Sequence, residues 1–149
     1  MKRVEKISSG TNYSAVQIGK MNNINEYVLQ ISPDFIVPGK VFIGGDINAT
    51  GAELSFQSFL PGSETGFLHT HKTHEEIYIF IKGSGEFQVD GQVFKIEEGS
   101  VVRVGQKGKR TVRNTSDQPL LMICIQYKAD TFTEADAHDG EILDEKVMW

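Results

Sequence analysis

Only one cysteine, Cys124, occurs in the chain, so no disulfide within the chain is available to hold it together. It lies in LLMICIQY, an apolar run where it reads as a buried core thiol of a reducing compartment. No apolar stretch approaches the length that crosses a bilayer as a helix. The opening MKRVEKISSG has basic residues but no apolar h-region, so no signal peptide is expected. Without secretion, the sequons at Asn12, Asn48 and Asn114 carry no weight. Positive charge is not in excess either: 15 Lys and Arg face 20 Asp and Glu, a formal charge of -5. Broad attraction to DNA, RNA or anionic membranes depends on clustered positive charge, so neither nucleic acid nor membrane is expected as a partner. There is no P-loop, dinucleotide fingerprint, GxSxG, HExxH or CxxC. A cytoplasmic protein of 149 residues is expected, long enough for one domain with a real core.

What is present has an all-β texture. Fifteen glycines and four prolines punctuate short runs rich in Val, Ile and Phe. Strands are expected at YSAVQIG, EYVLQIS, KVFIGGDI, AELSFQSFL, EEIYIFIKG, GEFQVD, QVFKI, SVVRVG, RTVRN and LLMICIQYK. Asp90-Gly91 accepts the positive φ of a tight hairpin between EFQV and QVFKI. No helical period stands out before residue 130. Short strands at regular spacing favour a sandwich or closed barrel.

Alternation along EEIYIFIKG puts Glu76, Tyr78 and Phe80 on one face and Ile77, Ile79 and Ile81 on the other. Both faces are apolar apart from Glu76, so both are expected to be covered. A barrel interior takes one; a second sheet or a partner subunit takes the other, which points to a homodimer. The composition turns acidic after residue 128. The expected organisation is a barrel domain over 1–128 and a short C-terminal arm over 129–149. Ile142, Leu143, Val147 and Trp149 are expected to dock that arm on the body.

The chemistry concentrates in FLHTHKTHEEIYIFIKG, residues 67–83. His69 and His71 are one residue apart, so an extended backbone projects both imidazoles from the same face. Glu76 follows after a four-residue loop, and a fold-back brings its carboxylate toward them. Two imidazole nitrogens and one carboxylate oxygen suit a divalent transition metal. Histidines also sit in turns and on polar strand faces, so this spacing alone is weak.

Residues 62–114 resemble the cupin family, a small double-stranded β-helix barrel. The family's first motif is a glycine, HxH, four residues, Glu, six residues and Gly. His69, His71, Glu76 and Gly83 match that spacing, with Gly62 one residue further upstream than the pattern. The second motif resembles GSVVRVGQKGKRTVRN, with Gly99 and Asn114 at the family's Gly and Asn. Gly105 replaces the usual proline, and Lys107 replaces a glycine, next to Gly108. Arg110 stands where the family has its remaining metal-binding histidine. The resemblance implies His69, His71 and Glu76 as metal ligands, with Fe, Mn, Ni or Zn as the ion. Isomerase, decarboxylase and dioxygenase chemistry all occur among cupins, so it selects no reaction.

Arg110 has no lone pair to offer, so it cannot ligate. Three arrangements follow. Arg110 clamps an anionic substrate beside a three-ligand metal; or it pairs with Glu76 and leaves a metal-free pocket; or it turns outward while His74 or water completes the sphere. His74 otherwise reads as an exposed loop histidine and Glu75 as a surface carboxylate. Tyr78 shares the ligand face, where its hydroxyl could contact substrate or its ring could fill the barrel. Arg103, Lys107, Lys109 and Arg113 read as solvated strand ends, because no aromatics interleave for base stacking. Two functions remain open. One is a metal-dependent enzyme acting on a small polar or anionic molecule; the other is a non-catalytic ligand-binding or sensor barrel.

Overall fold

The computed structural model describes residues 2–149. Its strands are β1 (Glu5–Gly10), β2 (Tyr13–Gln17), β3 (Val28–Ser32), β4 (Phe35–Pro38), β5 (Lys40–Phe42), β6 (Ala52–Phe59), β7 (His74–Lys82), β8 (Ser84–Val89), β9 (Gln92–Glu97), β10 (Val101–Val104), β11 (Arg110–Arg113) and β12 (Leu120–Lys128). A five-stranded sheet in the order β10-β7-β12-β6-β5 faces a three-stranded sheet, β11-β8-β9. The pairs β1–β2 and β3–β4 form separate two-stranded ribbons. Every pairing is antiparallel. The chain crosses repeatedly between the two main sheets, from β7 to β8, from β9 to β10 and from β10 to β11. That is the winding of a double-stranded β-helix.

Two of the turns have a clear local cause. At the β7–β8 corner Gly83 has φ +83, and a Cβ there would collide with the Pro119 carbonyl, so glycine alone fits. Asp90 and Gly91 both have positive φ, which matches the twist of the β8–β9 hairpin. All ten expected strands are present. The two that composition did not signal, β1 and β4, belong to the ribbons: EKISSG is mostly polar, and FIVP is only four residues long.

The alternation expected for β7 holds. Phe80 and Tyr78 enter a core with Phe87, Leu120, Met122 and Val104 between the two sheets. A second cluster lies on the outer face of the larger sheet. There Ile18, Ile24 and Tyr27 from the N-terminal segment pack with Val41, Ile43 and Leu121. This cover reaches only part of that face. Ile77, Ile79, Ile123 and Ile125 remain half-buried, and Val101 is exposed.

The arm differs from expectation. Residues 129–149 form one short 3-10 turn, Asp136–His138. Ile142, Leu143, Val147 and Trp149 are all exposed, so they do not dock on the body of the same chain. The segment's many carboxylates favour water, and its scattered apolar residues form no continuous stripe to bury. No helix among the described residues is long and apolar enough to cross a membrane.

Candidate metal centre and ligand cavity

Three elements bring the site together. Glu76 and Tyr78 project inward from β7. Arg110 opens β11, and a β-bridge with it holds His69 in place, with Arg110 N–H donating to the His69 carbonyl at 3.2 Å. The His71 amide donates to the Gln106 carbonyl at 2.9 Å. The histidine segment is thus pinned to the β10–β11 connection. That fixes both imidazoles toward the barrel interior.

His69 Nε2 lies 3.5 Å from Glu76 Oε2, and His71 Nε2 lies 3.1 Å from Glu76 Oε1. One nitrogen from each histidine and one Glu76 oxygen all fall within 4.8 Å of one another. His71 Nε2 and His69 Nδ1 are buried without a hydrogen-bond partner. Burial lowers the His71 pKa, against the opposing pull of Glu76, which favours the neutral imidazole that a metal requires. The donor set and its unpartnered nitrogens fit a two-histidine, one-carboxylate metal centre.

Glu76 is the hub. Burial alone would raise its carboxyl pKa; hydrogen bonds from His69 and Tyr78 and the electrostatic influence of the two imidazoles hold it well below the usual carboxylate range. The Tyr78 hydroxyl donates to Oε2. The Gln126 amide donates to Oε1 at 3.0 Å and the Cys124 thiol at 3.4 Å. Burial and the Glu76 charge push that thiol up to about 12, so it stays a protonated donor and not a thiolate ligand.

Arg110 is 1% exposed, and its guanidinium is turned onto the protein. Nε lies 3.3 Å from Glu76 Oε2. The two terminal nitrogens donate to the His69 and Gly105 carbonyls at 3.3 and 3.1 Å. Of the three arrangements open from sequence, the contact with Glu76 is the one formed. Arg110 still lines the cavity.

One neighbour reads differently from expectation. Glu75 is not a surface carboxylate. It is 9% exposed, held by Arg103 through Nε at 3.0 Å and through Nη2, and by the Tyr127 hydroxyl at 2.9 Å. Arg103 and Tyr127 come from the strands on either side of β7, which local sequence does not reveal. His74 is exposed, as the plainer reading had it. Arg113 pairs with Glu86.

Above the centre lies a cavity of about 360 Å³. Its walls are mostly apolar, with Leu29 and Ile31 from β3, Phe42 from β5, Phe67 and Phe87 among them. Gln57, Gln126 and Lys40 add polar groups that the sequence reading did not single out. Gln126 has a signal in hindsight: it is the one polar residue in the inward series Leu120, Met122, Cys124, Gln126.

The architecture is a double-stranded β-helix barrel, with a His-His-Glu cluster that could hold a metal ion at one wall of a small cavity. The chain belongs to the cupin family. The family model, "Cupin domain", matches residues 55–126, which include both histidines and Glu76. A cupin protein of known structure from Bacteroides fragilis is 30% identical, with a TM-score of 0.66, over 77% of this chain and 94% of that one. A Klebsiella pneumoniae protein with a double-stranded β-helix domain shares the fold at 15% identity and a TM-score of 0.56, over 73% of this chain and 90% of that one. An uncharacterised Methanocaldococcus jannaschii protein is 28% identical over 71 residues, 48% of this chain. The match spans 57% of that curated relative's length.

Proposed function

We propose that this cupin holds a divalent transition metal on His69, His71 and Glu76 and presents it to a small polar or anionic molecule in the adjoining cavity. The observation that carries this reading is the convergence of two histidine nitrogens and one carboxylate within 4.8 Å at the wall of that cavity. Such an ion, whether Fe, Mn, Ni or Zn, would act as a Lewis acid on oxygen atoms of the bound molecule. The chain's own residues do the positioning. Tyr78 and Gln126 each hold one Glu76 oxygen, and Arg110 locks the histidine segment through the His69 carbonyl. Arg110 also balances the charge of Glu76. A divalent ion added to that balanced pair leaves the centre positive, which favours an anionic molecule as the further ligand.

The Arg110–Glu76 contact also supports a second reading, a metal-free pocket that captures a ligand without catalysis. Calorimetric titration of Mn²⁺, Fe²⁺, Ni²⁺ and Zn²⁺ into metal-stripped, untagged protein separates the two. The metal reading expects saturable binding of at least one ion, lost in His71→Ala. No heat with any of the four leaves the metal-free reading. A cytoplasmic setting belongs to the same proposal, supported by the lone buried thiol of Cys124. So does a homodimer, supported by the part-covered outer sheet face.

A further inference from the structure

Away from the histidines, the cavity wall carries a second polar pair with no part in the metal chemistry. Lys40 on β5 stands directly opposite Gln57 on β6, and Gln57 opposes Met122 on β12. Met122 lies in the core between the sheets. Cross-strand partners share a face, so a lysine is directed into the barrel. Both Lys40 and Gln57 line the cavity, and Gln57 is 5% exposed. Lys40 joins none of the ion pairs among the described residues. Its Nζ lies 5.1 Å from the Phe42 ring centroid, and Phe42 also faces the cavity.

The charge inventory of the lining is short. Glu76 is its only carboxylate, and Arg110 is already set against it. That leaves the Lys40 ammonium unmatched within mostly apolar walls, where a lone charge is costly. Strand register roots Lys40 at a different level of the barrel from the metal-type centre. Gln57 aligns with Met122 and Phe80, whereas Glu76 aligns with Gln126, four residues further along β12. At the usual strand rise the two levels differ by about 13 Å along the strands. Tyr78 and Cys124 occupy the level between them.

We infer that Lys40 and Gln57 form a carboxylate subsite, so that the cavity's ligand is a small organic acid. Its carboxylate meets the ammonium and amide of this pair, and its apolar body lies against Phe42 and Phe87. Its far end, bearing an oxygen, faces His69, His71 and Glu76. This rests on the cavity being the ligand site, as proposed above, but not on a metal being bound. A neutral sugar would leave Lys40 uncompensated; an acid neutralises it.

The test uses acids matched with their own primary amides: 4-hydroxybenzoate, 4-hydroxyphenylacetate, 3-(4-hydroxyphenyl)propionate and 5-hydroxypentanoate. Each is titrated calorimetrically into full-length protein, metal-stripped and Zn²⁺-loaded. At least one acid should bind at least tenfold more tightly than its amide. Lys40→Met should remove that preference, with the acid weakened at least tenfold and the amide unchanged. Lys40→Arg should restore it, and Zn²⁺ stoichiometry should match wild type in both variants. Lys40→Gln serves in place of Lys40→Met if the latter alters the thermal melt. The inference is overturned if no acid outbinds its amide, or if the acid's affinity survives loss of the ammonium. Failure of Zn²⁺ uptake alone, with the acid preference intact, would count against Zn²⁺ as the ion and leave this inference standing.

Discussion

At Arg110 a guanidinium fills the place of a ligating histidine, and its nearest charge is Glu76. Both side chains are almost wholly buried. Removing one partner of a buried ion pair is costlier than the pair itself is worth, because the survivor stays desolvated. Glu76→Gln should therefore lower the stability of metal-free protein by roughly 3–5 kcal/mol near neutral pH. The acid dependence follows from the direction of the Glu76 shift. Its folded pKa lies below the model-compound value of 4.5, so its contribution is present above that value and is lost as pH falls below it. Chemical denaturation across the acid range should show wild type losing stability more steeply than Glu76→Gln. Replacing the guanidinium by a fourth ligand gives a second outcome. Arg110→His removes a positive charge and adds an imidazole, so Zn²⁺ affinity should rise at least tenfold, measurable by competition with a chelating dye.

Among the elements, β7 and β12 carry the load, because each places alternate residues in the core. Glu76, Tyr78 and Phe80 on one face Gln126, Cys124 and Met122 on the other. Asn114 performs a comparable task at the end of β11. Its amide donates to the Phe59 and Gln118 carbonyls, at 2.9 and 2.7 Å, and its oxygen accepts from the Ser116 amide and hydroxyl. This joins the end of β6 to the turn before β12. Asn114→Ala should cost roughly 1–3 kcal/mol in urea denaturation, as expected when buried carbonyls lose their donor. Metal uptake should be retained.

His69, His71 and Glu76 were legible in the sequence because eight consecutive residues and one corner bring them together. Strand positions were legible for the same reason: alternation and turn residues are local. Gln126, Lys40 and Gln57 were not, since their facing depends on which strands pair and in what register. Glu75 was misread because Arg103 and Tyr127 reach it from the two neighbouring strands. The arm was misread on its apolar residues, when its carboxylates and lack of a stripe decide against packing.

For the whole molecule, the partly covered outer face of the larger sheet is the clearest unfinished feature. The N-terminal segment packs over Leu54, Phe56, Ile81 and Leu121, and Ile77, Ile79, Ile123 and Ile125 continue that apolar surface toward exposed Val101. A second copy on this stripe would complete the cover. Sedimentation velocity should find a dimer that Ile79→Glu with Ile123→Glu converts to monomer, with metal uptake unchanged. A wild-type monomer at micromolar concentration would remove the homodimer. The central claim, a metal held by two histidines and one glutamate, is tested most directly by elemental analysis of untagged protein grown with Fe, Mn, Ni and Zn supplied. The account predicts about one transition-metal ion per chain in wild type and near none in Glu76→Gln. Wild type with no such ion under any of the four supplements would contradict it.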